Sequence, residues 1–251
     1  MSSQSRHGYD PSGKARRIAD GIYTISQRNG GRVHSYLIDD GNELTLIDTL
    51  FDKDGERIVR AIGQIGRQVT DLKNILISHA HRSHIGGTAA LKKLSGAKVW
   101  IHEWEADILA GDRKAQPCSF VPQAPLGAYY IQFGLAIGFG WHTACEADAF
   151  FREGDRIGPL QIIHTPGHSP GHMAFYWKER AFLFAGDALA TWPVLSLGWP
   201  GLNLNQKQAR QSLLKIDDLR ADVIAVGHGE PAIGDEIDHL RRMVRSTSAR
   251  E

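Results

Sequence analysis

At 251 residues the chain is long enough for one large domain or two small ones, either with a buried core. Its 29 Lys and Arg against 28 Asp and Glu leave a formal charge of +1, which excludes the strongly basic footprint of a general nucleic-acid binder. With 42% hydrophobic and 23% charged residues it is neither disordered nor fibrous in composition.

Residues 1–16 are polar and basic and lack the apolar stretch of a secretory signal, so they read as a flexible N-terminal arm before a single domain over 17–251. Val33 to Ile38 and Glu43 to Asp48 are β-rich runs around an Asp40-Gly41-Asn42 turn, which predicts a hairpin. Glu56 to Ile65 carries Ile58, Val59, Ile62 and Ile65 at helical spacing. A buried strand is expected over Asn74 to Ser78, then a His-rich loop, a helix opening at Gly86-Gly87, and a strand over Lys98 to Ile101. Beyond a middle segment of different character, strands are predicted at Leu160 to Ile163, Ala174 to Trp177, Ala181 to Ala185 and Val223 to Val226, with helices over Gln206 to Leu214 and from about Glu236. Strands in both halves with helices between them imply two sheets with helices outside.

Cys118 and Cys145 are too few for a disulfide framework and form no CxxC pair, which suits a reducing, cytoplasmic setting. The chain has 12 His, and they cluster. In Ser78-His79-Ala80-His81-Arg82-Ser83-His84-Ile85-Gly86-Gly87, a strand running on past Ser78 would point His79 and His81 the same way, with His84 reaching back from the following turn. Thr165-Pro166-Gly167-His168-Ser169-Pro170-Gly171-His172 follows a strand, and its glycines let the backbone bring His168 toward the same centre. Asp187 ends the strand of Phe184-Ala185-Gly186-Asp187, and His228 ends that of Val226-Gly227-His228-Gly229. Asp48 closes the second hairpin strand, where it can orient a ligand. His164 and His172 read as turn or supporting residues, His102 as a surface or pocket-mouth residue, and Arg82 as a solvated loop charge, with a substrate clamp as the alternative its place in the loop leaves open.

The order of these motifs resembles the metallo-β-lactamase fold superfamily over about residues 17 to 245. The resemblance implies an α/β fold, a four-layer αββα sandwich. It also implies that His79, His81 and His168 hold a first metal, His84 and His228 a second, and that Asp187 bridges the two. Ser83 stands where the family's HxHxDH loop has an Asp, and a neutral hydroxyl is a poor zinc ligand. One tightly bound Zn2+ and a weak or absent second site are therefore expected.

From Ala115 to Cys145 the chain has no Asp, Glu, Lys or Arg, and Tyr130, Phe133, Ile137 and Trp141 recur at helical spacing. This reads as a helical apolar insert at about 115–147 lying over the metal site, with Tyr130, Phe133 and Trp141 lining a pocket for a small, lipophilic substrate. A homodimer interface accounts for the same residues, while Pro122, Pro125 and Gln132 count against a transmembrane segment.

What the resemblance implies for function is a zinc hydrolase. Metal-bound hydroxide would attack an ester, lactone or thioester carbonyl, with Asp187 as the catalytic residue that orients the water and passes on its proton. A degenerate metal-binding member without turnover, marked by Ser83, and an iron-dependent oxidoreductase on the same ligands are the alternatives.

Overall fold

The computed structural model describes residues 13–116 and 141–248. A seven-stranded sheet runs in the order β1 (Arg16–Ala19), β2 (Ile22–Gln27), β3 (Val33–Asp39), β4 (Leu44–Ile47), β5 (Leu72–Leu76), β6 (Lys98–Ile101) and β7 (Ala149–Phe150). A six-stranded sheet has the spatial order β13 (Ala232–Ile233), β12 (Val223–Ala225), β11 (Phe182–Phe184), β10 (Met173–Trp177), β9 (Leu160–His164) and β8 (Arg156–Ile157). The predicted hairpin forms as β3 and β4, antiparallel from Tyr36 opposite Ile47 to Asp39 opposite Leu44. Parallel pairing appears where a helix intervenes, at β4 with β5, β5 with β6, β6 with β7, and β11 with β12.

The helices are α1 (Asn29–Arg32), α2 (Glu56–Gln64), α3 (Arg82–Ile85), α4 (Thr88–Ser95), α5 (Glu103–Ala110), α6 (Gln206–Asp218) and α7 (Asp235–Ser248). Ile58, Ala61 and Ile62 of α2 are buried at helical spacing. The Asn205 side chain caps α6 by accepting the Gln208 N–H at 3.1 Å.

Period-two alternation along the strands divides the core. On β10, Met173, Phe175 and Trp177 face the other sheet, while Ala174 and Tyr176 face the outer helices. On β11, Phe182 and Phe184 point inward and Leu183 outward. The inter-sheet layer joins these residues to Ile22, Tyr36, Ile38, Ile47 and Leu76 of the first sheet. Ile58, Ile62, Leu91, Ile108 and Leu109, from α2, α4 and α5, cover the outer face of the first sheet. Leu213, Ile216, Ile237, Leu240 and Val244, from α6 and α7, cover the second. Full burial of each large side chain stabilises by about 1.5–3 kcal/mol. The four layers are thus helix, sheet, sheet, helix, as the resemblance implied.

Three local expectations are corrected. Arg16 belongs to β1, pairing with Thr24, rather than to a flexible arm. Helix α5 went unpredicted because Glu103 and Glu105 break its short apolar stripe. Strand β5 stops at Leu76, so His79 and His81 sit on a loop. Of the expected insert, residues 117–140 lie outside the described residues, and Tyr130 and Phe133 with them. Among the described residues no helix is long and apolar enough to cross a membrane.

Candidate metal centre

Loops at the C-terminal ends of β4, β5, β9, β11 and β12 carry the site: Asp48, then His79, His81 and His84, then His168, Asp187 and His228. Although His79 and His81 are not on a strand, extended backbone at His81 (φ −77°, ψ 146°) still turns the two rings toward one point. His79 Nε2 and His81 Nδ1 are 3.0 Å apart, and His168 Nε2 is 3.0 Å from the same His81 atom. Asp187 Oδ2 lies 3.8 Å from His79 Nε2 and 3.5 Å from His168 Nε2, completing a first group. The second consists of His84, His228 and the same Asp187. Its nitrogens Nε2 are 3.3 Å apart, Asp187 Oδ1 is 3.4 Å from His84 and Oδ2 is 3.3 Å from His228. Only His81 of the six is not fully buried.

Hydrogen bonds on the far side of the rings fix which nitrogens face the centre. Asp48 accepts the Ser78 O–H at 2.7 Å, so Ser78 Oγ must accept from His79 Nδ1 at 3.1 Å, and His79 Nε2 is left with its lone pair inward. His84 Nδ1 donates to Asp48 Oδ2 at 2.8 Å and His228 Nδ1 to the Gly31 carbonyl at 2.8 Å, which leaves both Nε2 atoms facing Asp187. His81 hydrogen-bonds the backbone of Gln116. His168 Nδ1 is buried without a hydrogen bond, and so is Asp187 Oδ1. Imidazole nitrogens with lone pairs turned inward, on rings held from behind by a carboxylate, a hydroxyl or a carbonyl, are the donor set of a metal site. The residues fit the group that the fold family implies.

The electrostatics agree. Burial pushes the His79 and His168 pKa values well below the ordinary imidazole range, helped for His79 by His84 and His81 and for His168 by His81. Burial likewise takes His81 down to about 4, so all three imidazoles are neutral at physiological pH. Burial also opposes charge on Asp187 and His84. For Asp187 it is outweighed by His228 and His84, which hold the carboxyl well below its usual range. For His84 it is outweighed by Asp187 and Asp48, which raise the pKa to about 10. The second group thus demands positive charge, which a metal ion or a proton supplies.

Asp48, expected to orient a ligand, accepts from His84 Nδ1, in left-handed backbone at φ +58°. His172 is a supporting residue: Nδ1 donates to Thr165 Oγ1 at 2.8 Å and Nε2 accepts the Asp187 N–H at 3.0 Å. His164 donates to the Pro170 carbonyl at 2.8 Å and stacks on His102, which caps α5. Ser83 is half-buried on α3 beside His84. Arg82 corrects its expectation as a solvated charge: it is 9% exposed, stacks 4.3 Å over the Phe51 ring, and donates through Nε to the Trp141 carbonyl at 2.7 Å. Trp141 itself is 67% exposed, so its backbone, not its indole, is what reaches the metal loop. Sequence reading missed Ser78 and Glu105. Glu105 is 1% exposed, accepts from Ala80 N at 3.1 Å and from Ser169 Oγ, and its pKa is raised by burial. The available signal was a carboxylate on the helix stripe of Ile108 and Leu109.

Two stacked sheets with two His/Asp groups sharing one carboxylate at their strand ends define a metal-binding α/β sandwich. A family model described as the metallo-beta-lactamase superfamily matches residues 28–228, and the chain belongs to that superfamily. It is 26% identical over 219 residues to the probable metallo-hydrolase YybB of Bacillus subtilis (strain 168), covering 85% of this chain and 88% of that one. Over 211 residues it is 27% identical to the hydroxyacylglutathione hydrolase GloC of Haemophilus influenzae, covering 80% and 88% of the two chains. The crystal structure of TTHA1623 in a di-iron-bound form superposes with a TM-score of 0.63 at 26% identity, over 84% of this chain and 93% of that one.

Proposed function

We propose that the chain is a metal-dependent hydrolase that cleaves an ester, lactone or thioester bond in a small substrate. The observation that carries the reading is Asp187: one buried carboxylate with both oxygens among the inward-facing nitrogens of two histidine groups. His79, His81, His168 and Asp187 would hold a first ion, and His84, His228 and Asp187 a second. A bound ion would supply Lewis acidity and lower the pKa of water toward neutrality. The protein's own part is preorganisation. His172 pins the Asp187 backbone, Asp48 orients His84, and the Gly31 carbonyl orients His228, so little reorganisation remains when charge develops on a substrate oxygen.

The likeness to GloC supports an acyl substrate, and that to YybB supports hydrolysis. We assign zinc as the metal, with one ion held tightly. Ser83 brings no charge to the second group, whereas three neutral imidazoles and a carboxylate suit zinc in the first. Iron in the same ligands is the second reading, supported by the likeness to a di-iron-bound structure. Metal analysis of protein purified without added metal, followed by a panel of aryl esters, lactones and acyl thioesters, tests the proposal. Metal-dependent hydrolysis of at least one member is expected, and a metal-loaded protein inactive on every class refutes it.

A further inference from the structure

A single side chain outside the metal groups touches both loops that build the first one. Glu105, on α5, accepts through Oε2 the N–H of Ala80, the residue between His79 and His81, at 3.1 Å. Its Oε1 accepts the hydroxyl of Ser169, the residue after His168, and the Gly171 N–H adds a third donor. The loop approaches so closely that a Cβ on Gly171 would stand 2.7 Å from Glu105 Cγ. A carboxylate buried to 1% exposure is costly unless it is paired, and here the partners are the two ligand loops themselves.

We propose that Glu105 is a positioning residue that clamps the His79–His81 loop to the His168 loop and so sets the spacing of the first metal group. It rests on the reading of that group as a metal site. The rings of the second group are held from behind by Asp48 and the Gly31 carbonyl rather than by Glu105. Glu105→Gln discriminates because it keeps shape and volume but offers one acceptor and an NH2, and the NH2 must face a donor. Packing survives while one loop is released.

The test is a Co(II) titration of metal-free protein, read by visible absorption, in two backgrounds. His228→Ala disables the second group, and a His79→Ala, His81→Ala double variant disables the first. Glu105→Gln should weaken Co(II) binding about 10- to 100-fold in the His228→Ala background and leave the other background unchanged. Equal weakening in both, or none in either, overturns the proposal. Should Glu105→Gln not fold, Ser169→Ala removes one of the three donors. It should lower the melting temperature of the metal-free protein and weaken Co(II) binding severalfold in the His228→Ala background alone, and unchanged Co(II) binding there overturns the clamp. Failure of the His228→Ala parent to bind Co(II) at all instead refutes the metal reading beneath it.

Discussion

Gly227 offers the sharpest perturbation of the centre, because it is the residue whose missing side chain makes room for Asp187. A Cβ at this position would stand 2.9 Å from His84 Cε1 and nearer still to Asp187 Oδ1. Its backbone conformation is not left-handed, so Gly227→Ala carries no backbone penalty and acts through contact alone. Nor can the strand end slide away. The Gly227 N–H donates to the Gly186 carbonyl at 2.8 Å and its carbonyl accepts from His34 N at 2.9 Å. The carboxylate must therefore give, by more than about 1 Å to reach ordinary contact, and a shift of even 1 Å at a reacting centre costs on the order of 100-fold in rate. Asp187 serves both groups, so both should lose metal. The assay is metal content per chain together with kcat/KM on the best substrate of the panel. The metal-free protein should lose about 1–3 kcal/mol from overpacking. A Gly227→Ala protein with wild-type metal content and wild-type kcat/KM would refute the assignment of Asp187 as the shared ligand.

Three further outcomes follow from the same geometry. His168→Ala should strip nearly all metal from protein purified without added metal, and a full complement in elemental analysis would show that the first group is misassigned. Ser83→Asp should raise occupancy of the second group in a zinc titration; wild-type protein that already holds two equivalents as tightly as the variant would show that no carboxylate is needed there. His34, buried against Thr24, has its pKa taken down to about 3 by burial, with Arg16 and His228 adding to the effect. As pH falls from about 6.5 toward 3 the unfolded chain binds this proton and the folded chain does not, so stability complete above 6.5 is lost at up to about 1.4 kcal/mol per pH unit. The melting temperature of His34→Asn should accordingly fall less steeply with acid than that of the parent, and parallel slopes would refute the contribution.

The histidines and the aspartate that meet at the centre were legible in the sequence because short-range spacing and the motif order flag them. His79, His81 and His84 lie within six residues of one another, and Thr165 to His172, Asp187 and His228 each follow an apolar run that ends a strand. Period-two and helical patterns placed most strands and helices for the same reason: each is a local repeat that burial on one face imposes. What local pattern cannot contain is the meeting of remote segments. That Asp48 holds His84 across 36 positions, that Gly31 holds His228 across 197, and that Gly227 must lack a Cβ for Asp187 to enter are facts of packing. Glu105 is the clearest case. In the sequence it is one of two glutamates in a short, weakly amphipathic helix, set apart from Glu103 only by sharing the stripe of Ile108 and Leu109. Only when α5 docks beneath the loops of Ala80 and Ser169 does its position become buried. Ligand chemistry was written in residue type and spacing, whereas the supports that aim each ring depend on which backbone groups and carboxylates the fold leaves beside it. Those are decided only when the two sheets close on each other.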